Sequence, residues 1–264
     1  MESINSHNFL YSCVDEKKRS NEQFVPEHLF GIILSGESHF HTEQGIQIYG
    51  AGTIGLIRRN QLIKTVKAPV AGQAFKSINI VFGQEFLHRY AAEHSISVEK
   101  YIGASMLQLN RSPFLVSYFD SLMPYFQAPE KMTDRMAELK TREALELLLQ
   151  DNPFYANLLF DFSEPFKIDL EAFMIRNYTF NVSLAQFAKL TGRSLSTFKR
   201  DFQKTFRMPP EKWLQHKRLE HAHFLLSQKQ QQPVEIYLEV GFENLSHFST
   251  AFKNFYGYNP SSFK

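Results

Sequence analysis

Ser196, Thr197, Lys199, Arg200, Gln203 and Lys204 form one set of side chains able to do chemistry at another molecule's surface. Asn244, Ser246, His247, Ser249, Thr250 and Lys253 form a second. Each set lies on the outward stripe of a helical period. The inward stripes are apolar: Leu195, Phe198, Phe202 and Phe206 in the first, Phe248, Phe252 and Phe255 in the second. Cations beside hydroxyls and amides suit the DNA major groove, where base edges offer hydrogen-bonding groups between two rows of phosphates. The first set is the more basic and is expected to supply more of the phosphate attraction.

The two sets belong to copies of one pattern. Sliding the chain by 50 residues places Ser196, Phe198, Phe202, Phe206, Pro210 and Trp213 on Ser246, Phe248, Phe252, Tyr256, Pro260 and Phe263. Just upstream the offset is 49, so Phe187 matches Ile236 and Gly192 matches Gly241. Each copy reads as helix, glycine turn, helix, the helix-turn-helix whose second helix enters the major groove. In the first copy Ser183 caps a helix carrying Leu184, Phe187, Ala188 and Leu190, Gly192 turns the chain, and Ser194 caps the second helix. The second copy begins at Val234 and Ile236, turns at Gly241-Phe242, and continues over residues 243–256. Between the copies, residues 211–226 read as one continuous helix, roughly 24 Å long. With a module at each end, the two reading helices are expected about one turn of DNA apart, ~34 Å, on one face of the duplex.

The preceding elements differ in kind. From Phe24 to Phe82 short apolar runs (residues 28–34, 46–49, 53–57, 61–66 and 77–82) alternate with polar or glycine-rich turns, which points to a β-sandwich or, the favoured reading, a small barrel. Helical periods then begin. Residues 84–94 put Phe86, Leu87 and Tyr90 on one face. A helix starting at Ser112-Pro113 carries Leu115, Tyr118, Phe119 and Leu122 and is expected to end at Pro124. Residues 133–150 form the strongest helix, with Glu138 and Arg142 spaced for an ion pair and an apolar end that must bury more than one face, in its own domain or in a dimer. Residues 151–165 read as a linker lying on a surface.

Composition bounds the class. The chain has 264 residues, 43% of them hydrophobic, with 26 Phe and 11 Tyr, enough for a sizeable core in two domains. A single cysteine, Cys13, excludes an internal disulfide framework and fits a reducing cytosol. No signal-peptide pattern and no apolar run of membrane-spanning length is visible, so a soluble, cytoplasmic protein is expected. Residues 166–264 carry a net charge of +6 and residues 1–165 a net −4. That asymmetry is expected when only one half meets phosphate.

The stretch from Ile236 to Pro260 resembles the signature of the AraC/XylS transcriptional regulators at Ile236, Val240, Gly241, Phe242, Ser246, Phe248, Phe252, Lys253, Gly257 and Pro260. Upstream, Pro210, Arg218, Leu219, Ala222 and Leu226 resemble that family's linker helix. Tyr237 departs from the pattern, which usually has a small residue there, so the second helix pair is expected to pack more openly. The resemblance implies base contacts by Ser196, Lys199 and Arg200 in the first module and by Ser246, Ser249 and Thr250 in the second. Phosphate contacts are expected from Ser194, Lys204, Asn244, His247 and Lys253. A helical domain that binds protein rather than DNA is the bland alternative.

Members of this family with a β-rich N-terminal segment often resemble a cupin-like barrel that binds a small effector, followed by helices that dimerise. The expected fold is therefore α+β: a cupin-like β-barrel with accessory helices, then an all-α domain of two helix-turn-helix modules on a linker helix. The boundaries are 1–110 for the barrel, 111–165 for dimerisation helices and linker, and 166–264 for DNA binding. The expected function is a sequence-specific transcriptional regulator, an activator on the family's habit, binding double-stranded DNA as a homodimer and engaging RNA polymerase if it activates. No cofactor and no enzymatic activity are expected, and the effector residues are not legible. Control by a partner protein, or no ligand at all, are the alternatives. A rival is a metal-binding cupin enzyme built on His39, His41 and Glu43, whose spacing does not meet the metal-cupin pattern; no metal is expected, and His39 and His41 read as edge-strand residues or pocket polar groups. Arg58 and Arg59 read as a solvated basic turn, or less readily as an anion site.

Overall fold

The structure, a computed structural model, describes residues 4–19, 23–42 and 45–263. The chain divides into two compact units, residues 1–163 and 164–264.

The first unit opens with β1 (Ile4–Ser6), β2 (Phe9–Val14), β3 (Lys18–Arg19), β4 (Phe24–Val25), β5 (His28–Ser35) and β6 (Glu37–Thr42). There follow β7 (Gly45–Gly50), β8 (Ile54–Ile57), β9 (Gln61–Leu62), β10 (Lys64–Ala68), β11 (Phe75–Phe82) and, after the first helix, β12 (Met106–Leu109). The ladders are antiparallel and form a six-stranded sheet, β1-β2-β11-β5-β8-β12, a four-stranded sheet, β3-β10-β6-β7, and the pair β4-β9. Among the described residues they do not close into a single hydrogen-bonded ring, so the barrel expectation gives way to separate sheets within a mixed α+β fold. Closure needs strands of one sheet to pair with the next, and here β6 pairs only with β10 and β7.

Strand alternation gives the large sheet two unlike faces. One face presents Phe9, Tyr11, Phe30, Ile32, Ile78, Ile80 and Phe82, all buried in one core with the helices. Those helices are α1 (Gln84–Glu93), α2 (Pro113–Gln127), α3 (Asp134–Asp151) and α4 (Tyr155–Leu159). They contribute Leu87, Tyr90, Tyr118, Phe119, Leu145, Leu148, Leu158 and Leu159 to that core. Ser112 and Thr133 cap α2 and α3, accepting from the N–H groups of Leu115 and Met136.

Four expectations are corrected in this unit. Helix α2 passes through Pro124 to Gln127, with the Ala128 N–H donating to the Pro124 carbonyl at 3.0 Å. The ring removes one donor near the helix end, and continuing the turn buries Phe126. Glu138 and Arg142 do not pair along α3. Both reach across to α1, Arg142 to Glu93 at 2.7 Å and Glu138 to Arg89 at 2.9 Å. Residues 151–165, read as a surface linker, contain α4 and bury Leu158, Leu159 and Phe160. Arg58 and Arg59 are neither a solvated turn nor an anion site. Arg58 pairs with the buried Asp161 at 2.7 Å, and Arg59 is buried and donates to the Ser163 carbonyl at 3.0 Å. Asp161 also accepts from the Tyr101 and Ser163 N–H groups. Burial would raise its pKa, but the bonds from Ser163 and the Arg58 charge outweigh that and hold it below its ordinary value.

The second unit is all helix: α5 (Leu170–Asn177), α6 (Leu184–Leu190), α7 (Leu195–Phe206), α8 (Pro210–Gln228), α9 (Pro233–Ile236) and α10 (Leu245–Tyr256). Ser183 and Gln186 form a capping box at α6. Gly192 ends the turn after α6 with φ +64°, and a Cβ there would lie 2.3 Å from the Phe166 carbonyl carbon. Only glycine fits that approach. Helix α9 is a single turn, shorter than its counterpart α6, and the departing residue Tyr237 packs half-buried at the rim of the second module's core.

Candidate nucleic-acid interface

The repeat seen in the sequence is a repeat in space. Helices α7 and α10 are each 12 residues long, each opens on a polar cap and each closes on a left-handed residue, Arg207 or Gly257. In the first module Phe202 is fully buried, with ring centroids of Phe198, Phe206 and Trp213 at 5.5, 4.4 and 5.5 Å. In the second, Phe252 is fully buried with Phe248, Tyr256 and Phe263 at 5.7, 4.7 and 6.2 Å. Each aromatic cluster fixes the rotation of its helix, and so decides which side chains face outward.

The expected contact residues emerge on those outward faces. Ser196, Lys199, Arg200 and Lys204 are exposed on α7, and Ser246, His247, Thr250 and Lys253 on α10; Ser249 is half-buried. Ser194 caps α7, accepting from the Thr197 N–H at 3.3 Å and meeting the Ser196 hydroxyl at 3.1 Å. Asn244 caps α10 by accepting from the His247 N–H at 2.7 Å. Lys199 lies 3.3 Å from the exposed Glu211, a pair of the weak kind that yields readily to a stronger anion, and the exposed Arg200 lies 3.6 Å from the half-buried Asp201. Two residues assigned inward are not. Leu195 is 43% exposed and Phe255 41% exposed. Leu195 sits in the first turn of α7, ahead of the stripe formed by Phe198 and Phe202, and its counterpart Leu245 is likewise exposed. An apolar residue in helical register gave no sequence signal that it lies exposed.

Arg218 of α8 ties the modules to one another. Its guanidinium is buried and donates to the carbonyls of Tyr178 at 2.8 Å and Phe180 at 2.9 Å, in the loop ahead of α6. Burial pulls its pKa down to about 10. The turn of the second module closes on the same point: a Cβ on Gly241 would lie 2.7 Å from the Thr179 carbonyl oxygen and 2.8 Å from Arg218 Nε. Asn181 donates to Glu243 at 2.9 Å beside it.

The N-terminal unit holds a cavity of about 420 Å³ between its two larger sheets. The side of the six-stranded sheet opposite the helices supplies small groups such as Ser12, Gly31, Gly55 and Ser77, while the four-stranded sheet supplies Phe40 and Lys67. His39 and His41 alternate with the inward Ser38 and Phe40 of β6 and do not line it. Strand β6 is also interior to its sheet rather than at its edge. His39 bonds to Glu37 at 3.0 Å, and Glu43 lies outside the described residues. Among the described residues no three His, Cys, Asp or Glu side chains converge on one point.

A helix-turn-helix domain profile matches residues 187–264, and the profile of the ExsA N-terminal regulatory domain matches residues 28–160. The chain is 29% identical over 184 residues to the virulence regulon transcriptional activator VirF of Yersinia enterocolitica, spanning 68% of this chain and 67% of that protein. It is 24% identical over 237 residues to the HTH-type transcriptional regulator ExsA of Pseudomonas aeruginosa, spanning 87% and 83%. A solved structure of apo ToxT from Vibrio cholerae aligns with 98% of this chain and 97% of its own at 14% identity, with a TM-score of 0.47.

Proposed function

We propose, on the premise that this chain belongs to the AraC family of transcriptional regulators and carries an ExsA-type N-terminal regulatory domain, that it activates transcription by gripping two successive major grooves. VirF is itself named a transcriptional activator, which supports activation as the sign; an activator of this kind would engage RNA polymerase. The observation that carries the reading is the pair of matched 12-residue helices, each turned by a buried aromatic cluster so that a polar, basic face looks out. Action on DNA supports a cytoplasmic location. No helix among the described residues is long and apolar enough to cross a membrane.

In this reading Arg200 and Lys199 read guanine edges. Ser196, Ser246, Ser249 and Thr250 contact bases directly or through water. Ser194, Lys204, Asn244, His247 and Lys253 hold phosphates, and Leu195 and Leu245 meet thymine methyl groups at the leading tips of the two helices. Arg200→Ala is expected to lose ~1–3 kcal/mol at its own operator and to relax preference at one base step. Lys204→Ala is expected to weaken every duplex alike and to lower the slope of log K against log salt by about one. Titration of both variants against the selected operator and single-base variants of it, at several salt concentrations, checks the division. Unchanged preference in the Arg200 variant would remove that residue from the readers, and a sequence-selective loss in the Lys204 variant would contradict its phosphate role.

The N-terminal unit, read as an opened cupin-like barrel over residues 1–110, serves as the sensor, and residues 111–165 pair two copies of the chain. Exposed Phe114 on α2 and Leu139 on α3 support that pairing. The cavity supports a small-molecule effector over control by a partner protein alone. A thermal-shift screen of the full chain against small metabolites tests this: a saturating hit supports sensing, and a persistent blank favours protein control.

A further inference from the structure

The first turn of α8 forms the floor of a groove shared by the two helix-turn-helix modules. The groove encloses about 630 Å³; Val182 and Leu184, at the entry to α6, wall one side, and Phe242 and His247 of the second module wall the other. Glu211, Lys212 and Gln215 lie along its α8 side. Both rims touch faces described above: Glu211 meets Lys199 on the outward face of α7, and His247 stands on the outward face of α10. The floor therefore runs from one outward face to the other. Its charged and polar groups are unequally engaged. Glu211 has Lys199, Glu243 accepts from Asn181 at 2.9 Å, and Arg218 donates to the Tyr178 and Phe180 carbonyls. Lys212 and Gln215 are exposed at i, i+3 on one side of α8, and neither has a hydrogen bond or ion pair among the described residues. Lys217, farther along the helix, pairs instead with Glu220 at 2.8 Å.

When two helices read successive major grooves from one side of a duplex, the surface between them faces the minor groove at the centre of the site. That groove is about 6 Å wide and is bordered by the phosphates of both strands. We propose that the floor between the modules is a third DNA contact, in which Lys212 takes a phosphate bordering the central minor groove and Gln215 bonds beside it. The proposal rests on the two-groove reading and adds a contact that neither reading helix makes. Its chemistry is independent of base sequence: an ammonium meets a phosphate oxygen and counterions leave the duplex. The Gln215 amide donates to a neighbouring backbone oxygen without adding charge. Since the contact falls in the spacer, it fixes where both modules sit along the duplex.

The test uses the full chain and a duplex selected by it from a random pool, with the spacer phosphates replaced one at a time by uncharged methylphosphonates. At one or two spacer positions the replacement is expected to weaken the wild type roughly fivefold. Lys212→Gln is expected to weaken binding to the unmodified duplex by a similar factor, to lower the salt slope by about one, and to become indifferent to those same replacements. Methylphosphonates within the two reading blocks are expected to weaken wild type and variant alike. Lys212→Ala repeats the measurement, and thermal melts confirm that both variants fold. Wild-type affinity in the Lys212 variants at every salt concentration would overturn the third contact while leaving the two-block site standing. So would a spacer methylphosphonate that costs the variants as much as the wild type. A pool that yields no two-block site would overturn the two-groove reading and this contact with it, and that result is seen before any substitution is made.

Discussion

Phe202→Ala is expected to destabilise residues 164–264 by ~3–5 kcal/mol and to abolish specific DNA binding. Phe202 is fully buried where α7 packs on α8, in ring contact with Phe198, Phe206 and Trp213. Truncation removes a phenyl group from the centre of that cluster, and the surrounding rings cannot close over the gap without rotating α7. Since α7 carries Lys199 and Arg200 on its opposite face, any such rotation also moves those two cations. The chain's single tryptophan, Trp213, lies in the same cluster, so its fluorescence reports this unit during chemical denaturation. Phe255→Ala provides the comparison. That ring is 41% exposed, and its loss is expected to change stability by no more than about 0.5 kcal/mol. A loss below about 1 kcal/mol at Phe202 would mean that the aromatic cluster does not hold the helix.

The second large effect is an acid transition in the N-terminal unit, centred on His28. The imidazole has no exposed surface; its Nδ1 accepts from the Arg59 N–H at 3.3 Å, and its Nε2 has no hydrogen-bond partner among the described residues. Burial, then the charges of Arg59 and Arg58, hold its pKa down to about 3 against an ordinary 6.5. The fold therefore accommodates only the neutral ring, while the unfolded chain takes up a proton first as pH falls. The contribution is complete above about pH 6.5 and drains away between there and about pH 3, at up to ~1.4 kcal/mol per pH unit. Thermal melts of the full chain across that range, followed by far-ultraviolet dichroism, measure it. His28→Gln keeps an acceptor for the Arg59 N–H but cannot protonate, and is expected to flatten this limb. An acid limb of equal steepness in the variant would assign the transition to the carboxylates, Asp161 first among them.

The sequence revealed the C-terminal unit far better than the N-terminal one, for physical reasons. Helical packing is local: a ring every third or fourth residue writes the buried face directly, and duplication from Phe198 to Phe248 and from Phe202 to Phe252 wrote it twice. Even there, Leu195 and Phe255 fell on the apolar stripe but outside the packed span, because periodicity cannot say where a neighbour ends. Sheets are decided at a distance. Ile4–Ser6, Phe9–Val14 and Met106–Leu109 were missed as strands because each is short or apolar on both faces, and β2 joins the rest of its sheet through β11, more than 60 residues later. Arg58 meets Asp161 across a separation of 103 residues, which turns an apparent surface turn into a buried pair. Arg218 was visible as a motif position, yet its role in joining the two modules depends on the Tyr178 and Phe180 carbonyls in the preceding loop.

Selection of duplexes from a random pool by the intact protein tests the two-groove grip most directly. The account predicts enriched sites with two conserved blocks whose centres lie about one helical turn, ~10–10.5 base pairs, apart, and whose affinity collapses when five base pairs are inserted between them. Enrichment of a single block indifferent to that insertion, or no enrichment over the starting pool even at low salt, would contradict it.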